Sequence, residues 1–128
     1  MAFIKGESYE GSKIVEELEA EKGEPYFALH RDGHVLAFAL NRWQNPDAPT
    51  EVLVGPGEGR EKYADSFIAE KPVVPVFIKE GKKDKHWHCA GHFRLRDTID
   101  KNSEKNKRVK PFDIPAIYKI LFLEEVKG

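Results

Sequence analysis

The amino-acid sequence predicts a mainly β, α+β domain: a small, partly closed β-barrel of five or six strands with two short helices. Several short runs alternate apolar and polar residues between Gly, Pro, Asn or Asp, which is typical of strands joined by tight turns. Two other segments repeat apolar residues at helical spacing. A length of 128 residues supports one core but not two, so residues 1–128 are expected to form a single domain.

The first predicted element is a short amphipathic helix over residues 13–21. Ser12 offers a hydroxyl as an N-cap, and Gly23 is a natural stop. The apolar positions at helical spacing are Ile14, Val15 and Leu18. We expect this helix to be a lid or scaffold rather than part of a binding site.

A β-hairpin follows, with strands over residues 26–30 and 34–40. They bracket Asp32 and Gly33, a dipeptide that a two-residue type I′ turn prefers because glycine accepts positive φ. Residues 41–50 are predicted to be a loop, since their prolines, asparagines and aspartate discourage regular structure. Trp43 lies in this loop, where it either closes over the core or presents an aromatic plate to a ligand.

A short strand over residues 51–54 runs directly into a glycine-rich segment, 55–59. This segment lacks the Lys-Ser/Thr pair of a P-loop. A helix is predicted over residues 60–70 because apolar residues form one stripe there. Its N-terminus would carry partial positive charge towards the glycine-rich segment, where a DNA phosphate can bind.

The centre of the sequence is a predicted hairpin of residues 72–79 and 86–96 around a lysine-rich turn. Pro75 cannot donate a ladder hydrogen bond, so it marks an edge strand or a bulge. Strict alternation along the second strand separates two faces. One face holds Trp87, Cys89, Gly91, Phe93 and Leu95, and the other holds His86, His88, Ala90, His92, Arg94 and Arg96.

The last part of the chain is predicted to be a polar, basic surface loop over residues 98–110, followed by a final strand over 116–126. The apolar residues of that strand do not alternate cleanly with polar ones, which indicates burial on both faces.

Composition limits the cellular setting. Apolar residues make up 40% of the chain and charged residues 34%, as in ordinary globular proteins. No apolar run approaches the roughly 20 residues of a membrane helix, and no signal peptide is recognisable. The single cysteine, Cys89, excludes an internal disulfide and fits a reducing compartment. We therefore expect a cytoplasmic protein without a membrane partner.

Charge is unevenly distributed along the chain. Residues 79–110 hold eleven Lys or Arg against five Asp or Glu, whereas the remainder holds ten against seventeen. Nucleic-acid-binding proteins often concentrate basic side chains in this way, although a solvated lysine-rich loop has the same composition.

Three kinds of chemistry are compatible with these motifs. A metal-dependent β-barrel enzyme would use His86, His88 and His92, although no carboxylate has an obvious matching place. Nucleophilic catalysis by Cys89 is disfavoured, because it falls on the core face and no catalytic motif accompanies it. A nucleic-acid-binding or protein-interaction module needs neither a cofactor nor a bound metal. We expect a non-enzymatic nucleic-acid-binding protein, with lysines and arginines on phosphates and aromatic rings on bases.

Parts of the sequence resemble a known family. The Asp-Gly hairpin, the glycine-rich segment followed by a helix, and the Pro-Val-Phe-Ile-Lys strand are three such places. After the Pro-Val-Phe-Ile-Lys strand come Trp87, Gly91, Phe93 and Leu95, which belong to the same resemblance. Over residues 26–96 this order resembles the SRA-like (YDG-type) modified-cytosine recognition domains, of the PUA-like barrel group, that accompany HNH-type modification-dependent restriction endonucleases.

The resemblance implies a PUA/SRA-like barrel that flips a modified base out of DNA, in preference to RNA, in defence against foreign DNA. Because no nuclease motif is present, cutting would require a nuclease partner. The residues expected to line the base pocket are Tyr26, Phe27, Trp43, Asp47 and Trp87. Those expected to contact phosphates are Arg42, Arg60, Lys82, Lys83, Lys85 and Arg94.

Overall fold

The computed structural model describes residues 3–22, 27–112 and 116–127. In chain order the elements are β1 (Ser8–Glu10), α1 (Gly11–Leu18), β2 (Ala28–Arg31), β3 (His34–Asn41), β4 (Glu51–Val54), α2 (Glu58–Glu70), β5 (Val74–Lys79), β6 (His86–Ile99), α3 (Asn102–Phe112) and β7 (Lys119–Glu125). The predicted fold class, a mainly β, barrel-like α+β domain, is confirmed. The described residues contain seven strands and three helices, more than the sequence suggested.

The strands form one sheet that curls into a half-barrel, in the order β2-β3-β5-β6-β7-β4, with β1 pairing with β6. Neighbouring strands are antiparallel except β3 and β5, which run parallel. A parallel pair requires a long crossover connection. Here the crossover contains β4 and α2.

Each side of the sheet is covered by a helix that contributes apolar side chains. On one side, Phe67 of α2 packs within the main core and meets the ring of Phe38 at 4.7 Å. On the other side, Ile14 of α1 belongs to a second cluster with Phe77 and Cys89. The sheet therefore has two apolar faces, with α2 on one and α1 on the other.

The hairpin of β2 and β3 confirms the predicted turn. Asp32 and Gly33 both have positive φ, 53° and 82°, as a type I′ turn requires. Helix α1 begins earlier than predicted: Glu10, not Ser12, is the N-cap, and it makes no side-chain capping bond. Glu19 ends α1 in a left-handed conformation, and Gly23 lies outside the described residues.

The predicted division of β6 into two alternating faces is wrong, because the strand contains two bulges. At the first, Val76 pairs with Gly91 and Phe77 with Cys89, so that Ala90 is an extra residue that interrupts the alternation. The second lies between Leu95 and Asp97, opposite β7.

As a result, the three histidines of β6 do not share a face. His88 pairs with Ile78 and His92 with Pro75, three residues apart on β5, so their side chains leave opposite sides of the sheet. Pro75 itself lies on a central strand rather than at an edge, but the pairing of β5 with β3 begins only at Val76.

The predicted loop over residues 98–110 is wrong, because β6 continues to Ile99 and α3 then begins at Asn102. Charged pairs favour this helix: Glu104 contacts Arg108 one turn later, and Asp100 accepts a hydrogen bond from Lys105. Val109 packs against the outer apolar cluster of β4 and β7, which anchors α3 to the sheet.

The final strand is shorter than the predicted span but is buried on both faces, as predicted. Leu121 and Leu123 join the main core, whereas Ile120 packs with Leu53 on the outer face. Within the described ranges, no helix has the length and apolar character needed to cross a membrane.

Candidate functional site

A cleft of about 730 Å³ lies between α1 and the outer face of the sheet, and we call it the α1 cleft. Apolar side chains form most of its wall: Ile14, Val15, Ala20, Leu29, Ala39 and Trp87. Its size and mixed lining fit the general properties of small-molecule sites. Helix α1 was expected to be a lid or scaffold, but it supplies one wall of this cavity.

Trp87 lies at one end of the α1 cleft because β1 pairs with β6, with Tyr9 opposite Trp87. Since α1 follows β1 directly, this pairing places Gly11 against the indole: a Cβ at Gly11 would lie 3.4 Å from Nε1. Lys79 brings its Nζ to 5.6 Å from the centre of the Trp87 ring. An aromatic ring and a cation therefore stand together at this end.

The other end of the α1 cleft is acidic. Glu21 binds Nδ1 of His30 at 2.8 Å, and this bond lowers the pKa of the carboxyl group. Glu19 meets Arg31 at 3.4 Å. Glu16 also lines the cleft, and it forms no ion pair with any described residue.

A turn of residues 80–85 connects Lys79, the last residue of β5, to His86, the first residue of β6; we call it the lysine turn. Asp84 shapes it by accepting the N–H of Gly81 at 2.8 Å. Its exposed cations, none within salt-bridge distance of a described carboxylate, are Lys82, Lys83 and Lys85. Lys82 lies 5.9 Å from the ring of Trp43, which is 37% exposed.

Glu80 fixes the base of the lysine turn. Both of its oxygens accept hydrogen bonds from Arg42, at 3.0 and 2.9 Å, and Nε2 of His88 donates to it at 2.7 Å. These bonds lower the pKa of Glu80 to about 2 and raise that of Arg42. Arg42 also donates to the carbonyl of Ala48. Arg42, expected to contact phosphate, instead joins the 41–50 loop to β5 and β6.

A small polar depression of about 210 Å³ adjoins Glu80, and His86 and His88 line it. Both histidines face carboxylates: His88 binds Glu80, and His86 lies 4.0 Å from Glu10. His92 lies across the sheet, so the three-histidine face suggested by the sequence does not form. Among the described residues, no group of three or more His, Cys, Asp or Glu is arranged to hold a metal ion.

The other residues expected in a base pocket are dispersed. Phe27 is buried and stacks on Phe38 at 5.5 Å, so its ring belongs to the main core. Asp47 is exposed in the 41–50 loop, where its backbone carbonyl accepts the N–H of Glu51. Tyr26 lies outside the described residues.

The remaining arginines also lie away from the lysine turn. Arg94 is bound to Glu124 at 2.7 Å. Arg60 lies over the glycine-rich segment, where its Cδ is 3.5 Å from the position of a Cβ on Gly55. At the start of α2, Glu61 accepts the N–H of Gly57 at 3.0 Å. A carboxylate of the chain itself thus takes the position at which a phosphate was expected.

Sequence reasoning found Trp43, Trp87 and the lysines, but missed Gly11, Glu16 and Lys79. The approach of α1 to Trp87 depends on the pairing of β1 with β6, and a strand of three residues leaves little signal in the sequence. The charged face of an amphipathic helix is ordinarily solvated, so Glu16 had no distinguishing feature.

Comparison with protein-family models, with curated proteins and with solved structures gives no match for this chain.

Proposed function

We propose that this chain is a non-enzymatic nucleic-acid-binding domain that recognises a modified base in DNA by drawing the base out of the duplex into the α1 cleft. The observation that carries the proposal is the position of Trp87, which lines a large cleft and follows a turn of exposed lysines by two residues in the chain. We further propose a role in defence against foreign DNA, with a separate nuclease as partner.

The aromatic ring supports the base-binding half of the proposal. Extruding a base costs a few kcal/mol, and stacking on an aromatic side chain returns about 1–3 kcal/mol per base. Trp87 offers a ring at the cleft, and the apolar wall excludes water from one side of a bound base. Ser12, at the same end, adds a hydroxyl that can donate to or accept from a base edge.

The lysine turn supports the phosphate-binding half. Lys82, Lys83 and Lys85 need not break an ion pair with a described residue before they contact a phosphate. Trp43 stands beside Lys82 and can stack on a neighbouring base. Because only His86 separates the turn from Trp87 in the chain, we expect a backbone held on these lysines to lie near the Trp87 end of the cleft.

Tryptophan fluorescence provides the test, since the chain contains two tryptophans. In Trp43→Phe, Trp87 is the sole reporter, and we expect duplexes with 5-methylcytosine, 5-hydroxymethylcytosine or N6-methyladenine to quench it more than unmodified DNA. In Trp87→Leu, which removes the aromatic ring, fluorescence anisotropy should show the preference for a modified base lost while salt-sensitive binding remains. A full preference in Trp87→Leu, or no binding at low salt by the unaltered protein, would contradict the proposal.

The lysines are tested through salt dependence. Loss of one phosphate contact lowers the slope of log K against log salt concentration by about 0.9 for duplex DNA. We expect Lys82→Ala to show this change equally for modified and unmodified duplexes. The matched control is Lys13→Ala, which removes an exposed lysine that lies on α1 and outside the lysine turn. Equal effects of the two substitutions would remove the lysine turn from the interface.

A further inference from the structure

Helix α1 is attached to the sheet by different kinds of contact at its two ends. At the N-terminal end, β1 pairs with β6, and the N–H of Cys89 donates to the carbonyl of Glu7 at 2.9 Å. The rings of Phe3, Tyr9 and Phe77 meet edge to face, with their centroids 4.8 to 6.1 Å apart. Backbone pairing and an apolar cluster therefore build this end into the sheet.

At the C-terminal end of α1 the contacts are mostly polar. The N–H of Glu21 donates to the carbonyl of His30 at 2.8 Å, and its carboxylate binds Nδ1 of the same histidine, also at 2.8 Å. Arg31 donates to the carbonyls of Leu18 and Glu19 at 3.3 and 3.4 Å, which are long distances for hydrogen bonds. We call these contacts of Glu21 and Arg31 the α1 clasp. Both side chains are exposed by nearly half, so water can replace their bonds.

Apolar packing holds α1 most firmly near its start. Ile14, in the first turn, is 2% exposed and is the only buried residue of the helix. It belongs to the same cluster as Phe77, whereas Leu18 and Ala20, at the far end, are only partly buried against that cluster. The last turn of α1 can therefore lift from the sheet at a lower free energy than the whole fold needs to unfold, with Ile14 as the pivot.

His30 is the fixed half of the α1 clasp. It is 8% exposed, and its ring stacks on Tyr63 of α2 with centroids 3.9 Å apart and an angle of 14° between the planes. Since Tyr63 belongs to the main core, the orientation of the imidazole is set from the core side. Glu21 follows α1 closely in the chain, so it is the half that moves with the helix.

Resting on the proposed function, we infer that α1 is a lid of the α1 cleft, which pivots at Ile14 and closes over an extruded base when the α1 clasp forms. Trp87 lies against Gly11 at the pivot end, so the stacking ring keeps its place while the wall from Val15 to Ala20 moves. With the clasp formed, the structure shows the closed lid, and a base held in the cleft leaves only after the clasp breaks.

Hydrogen exchange measured by NMR tests the lid without any substitution. In the free protein, the Glu21 amide, which is bonded to His30, should exchange at least about tenfold faster than the Cys89 amide, which is bonded to Glu7. Of duplexes with 5-methylcytosine, 5-hydroxymethylcytosine or N6-methyladenine, the one that quenches Trp87 most should slow exchange at Glu21. An unmodified duplex should not.

Dissociation kinetics test the α1 clasp. In the Trp43→Phe background, recovery of Trp87 fluorescence reports release of the modified base. We expect Glu21→Gln to speed this release about fivefold, the factor expected from weakening one partly exposed, charge-assisted hydrogen bond. Arg31→Gln, which weakens the clasp outside the lining of the cleft, should act in the same direction. The control is Glu17→Gln, an exposed position on α1 that does not line the cleft, and it should leave the rate unchanged.

Equal release rates in the clasp and control variants, or equal exchange at the Glu21 and Cys89 amides, would overturn the lid. In either case the preference for a modified base and the quenching of Trp87 persist, so the proposed function survives. Absence of both binding and quenching with every duplex would overturn the proposed function and the inference together.

Discussion

Glu80 and His88 are joined by a hydrogen bond of 2.7 Å between Oε2 and Nε2, across the ends of β5 and β6. Because the same carboxylate holds Arg42 in two bonds, one side chain fixes the 41–50 loop, the lysine turn and the start of β6 relative to one another. The 41–50 loop and the lysine turn are therefore held by the same carboxylate.

Removal of this support should destabilise the fold modestly. Glu80→Gln keeps the shape but loses the charge-assisted bonds, and since the side chain is half-exposed we expect a loss of about 1 kcal/mol in the free energy of unfolding. Urea denaturation at neutral pH provides the measurement. Glu10→Gln is the control, because Glu10 lies 4.0 Å from His86, and its change should stay below about 0.5 kcal/mol.

The lowered pKa of Glu80 predicts that the free energy of unfolding falls in acid. Its pKa is lowered from 4.5 to about 2 in the folded state, so it contributes stability above pH 4.5 that is lost as the pH falls towards 2. The carboxyl groups of Glu21 and Asp100 are shifted in the same direction and contribute to the total. We therefore expect the difference in urea midpoint between the unaltered protein and Glu80→Gln to shrink across this interval. A constant difference from pH 6 to pH 2 would contradict the assignment.

Asn45 protects the edge of the sheet. It is buried, and its Oδ1 accepts the N–H of Leu53 on edge strand β4 at 2.8 Å. Asn45→Ala leaves that N–H without a partner, which we expect to cost about 1–3 kcal/mol and to speed hydrogen exchange at the Leu53 amide. Asn45→Asp retains an acceptor and should protect the amide. Unchanged exchange in the alanine variant would show that the bond does not hold this edge.

Gly91 should not tolerate a side chain. Its φ is +124°, and a Cβ there would lie 2.9 Å from Oε2 of Glu125. The carboxylate can move, but the backbone conformation cannot be relieved, so Gly91→Ala should lose about 1–3 kcal/mol in chemical denaturation. Gly81→Ala, where a Cβ would contact Asp84 at an ordinary 3.4 Å, is the comparison and should cost less.

Features coded by neighbouring residues were predictable from the sequence, and those set by pairing between distant strands were not. Asp32 and Gly33 define their hairpin locally. The two faces of β6 depend instead on where β5 and β7 impose bulges, and only Gly91 hints at either one. Helix α3 was missed because its residues are mostly polar, as in a surface loop. Its anchor, the contact of Val109 with the outer apolar cluster, exists only in the folded structure.

The candidate site was predictable only in part, for the same reason. An aromatic residue near a run of lysines can be recognised in the sequence, and this pattern identified Trp87 and the lysine turn. The cavity itself requires α1 to lie across the sheet, and this depends on the three-residue pairing of β1 with β6. Glu16 acquires its position only from that arrangement.

The pairing of β4 with β7 constrains how the chain can be made. Glu51 lies opposite Phe122, so β4 can form its backbone hydrogen bonds only after β7 has been synthesised. During ribosomal synthesis, the backbone hydrogen-bonding groups of β4 and the side chain of Leu53 emerge long before Ile120 and the rest of β7. Premature termination before residue 119 would leave this strand edge unpaired and Leu53 without Ile120, and such fragments should be the natural clients of chaperones and proteases.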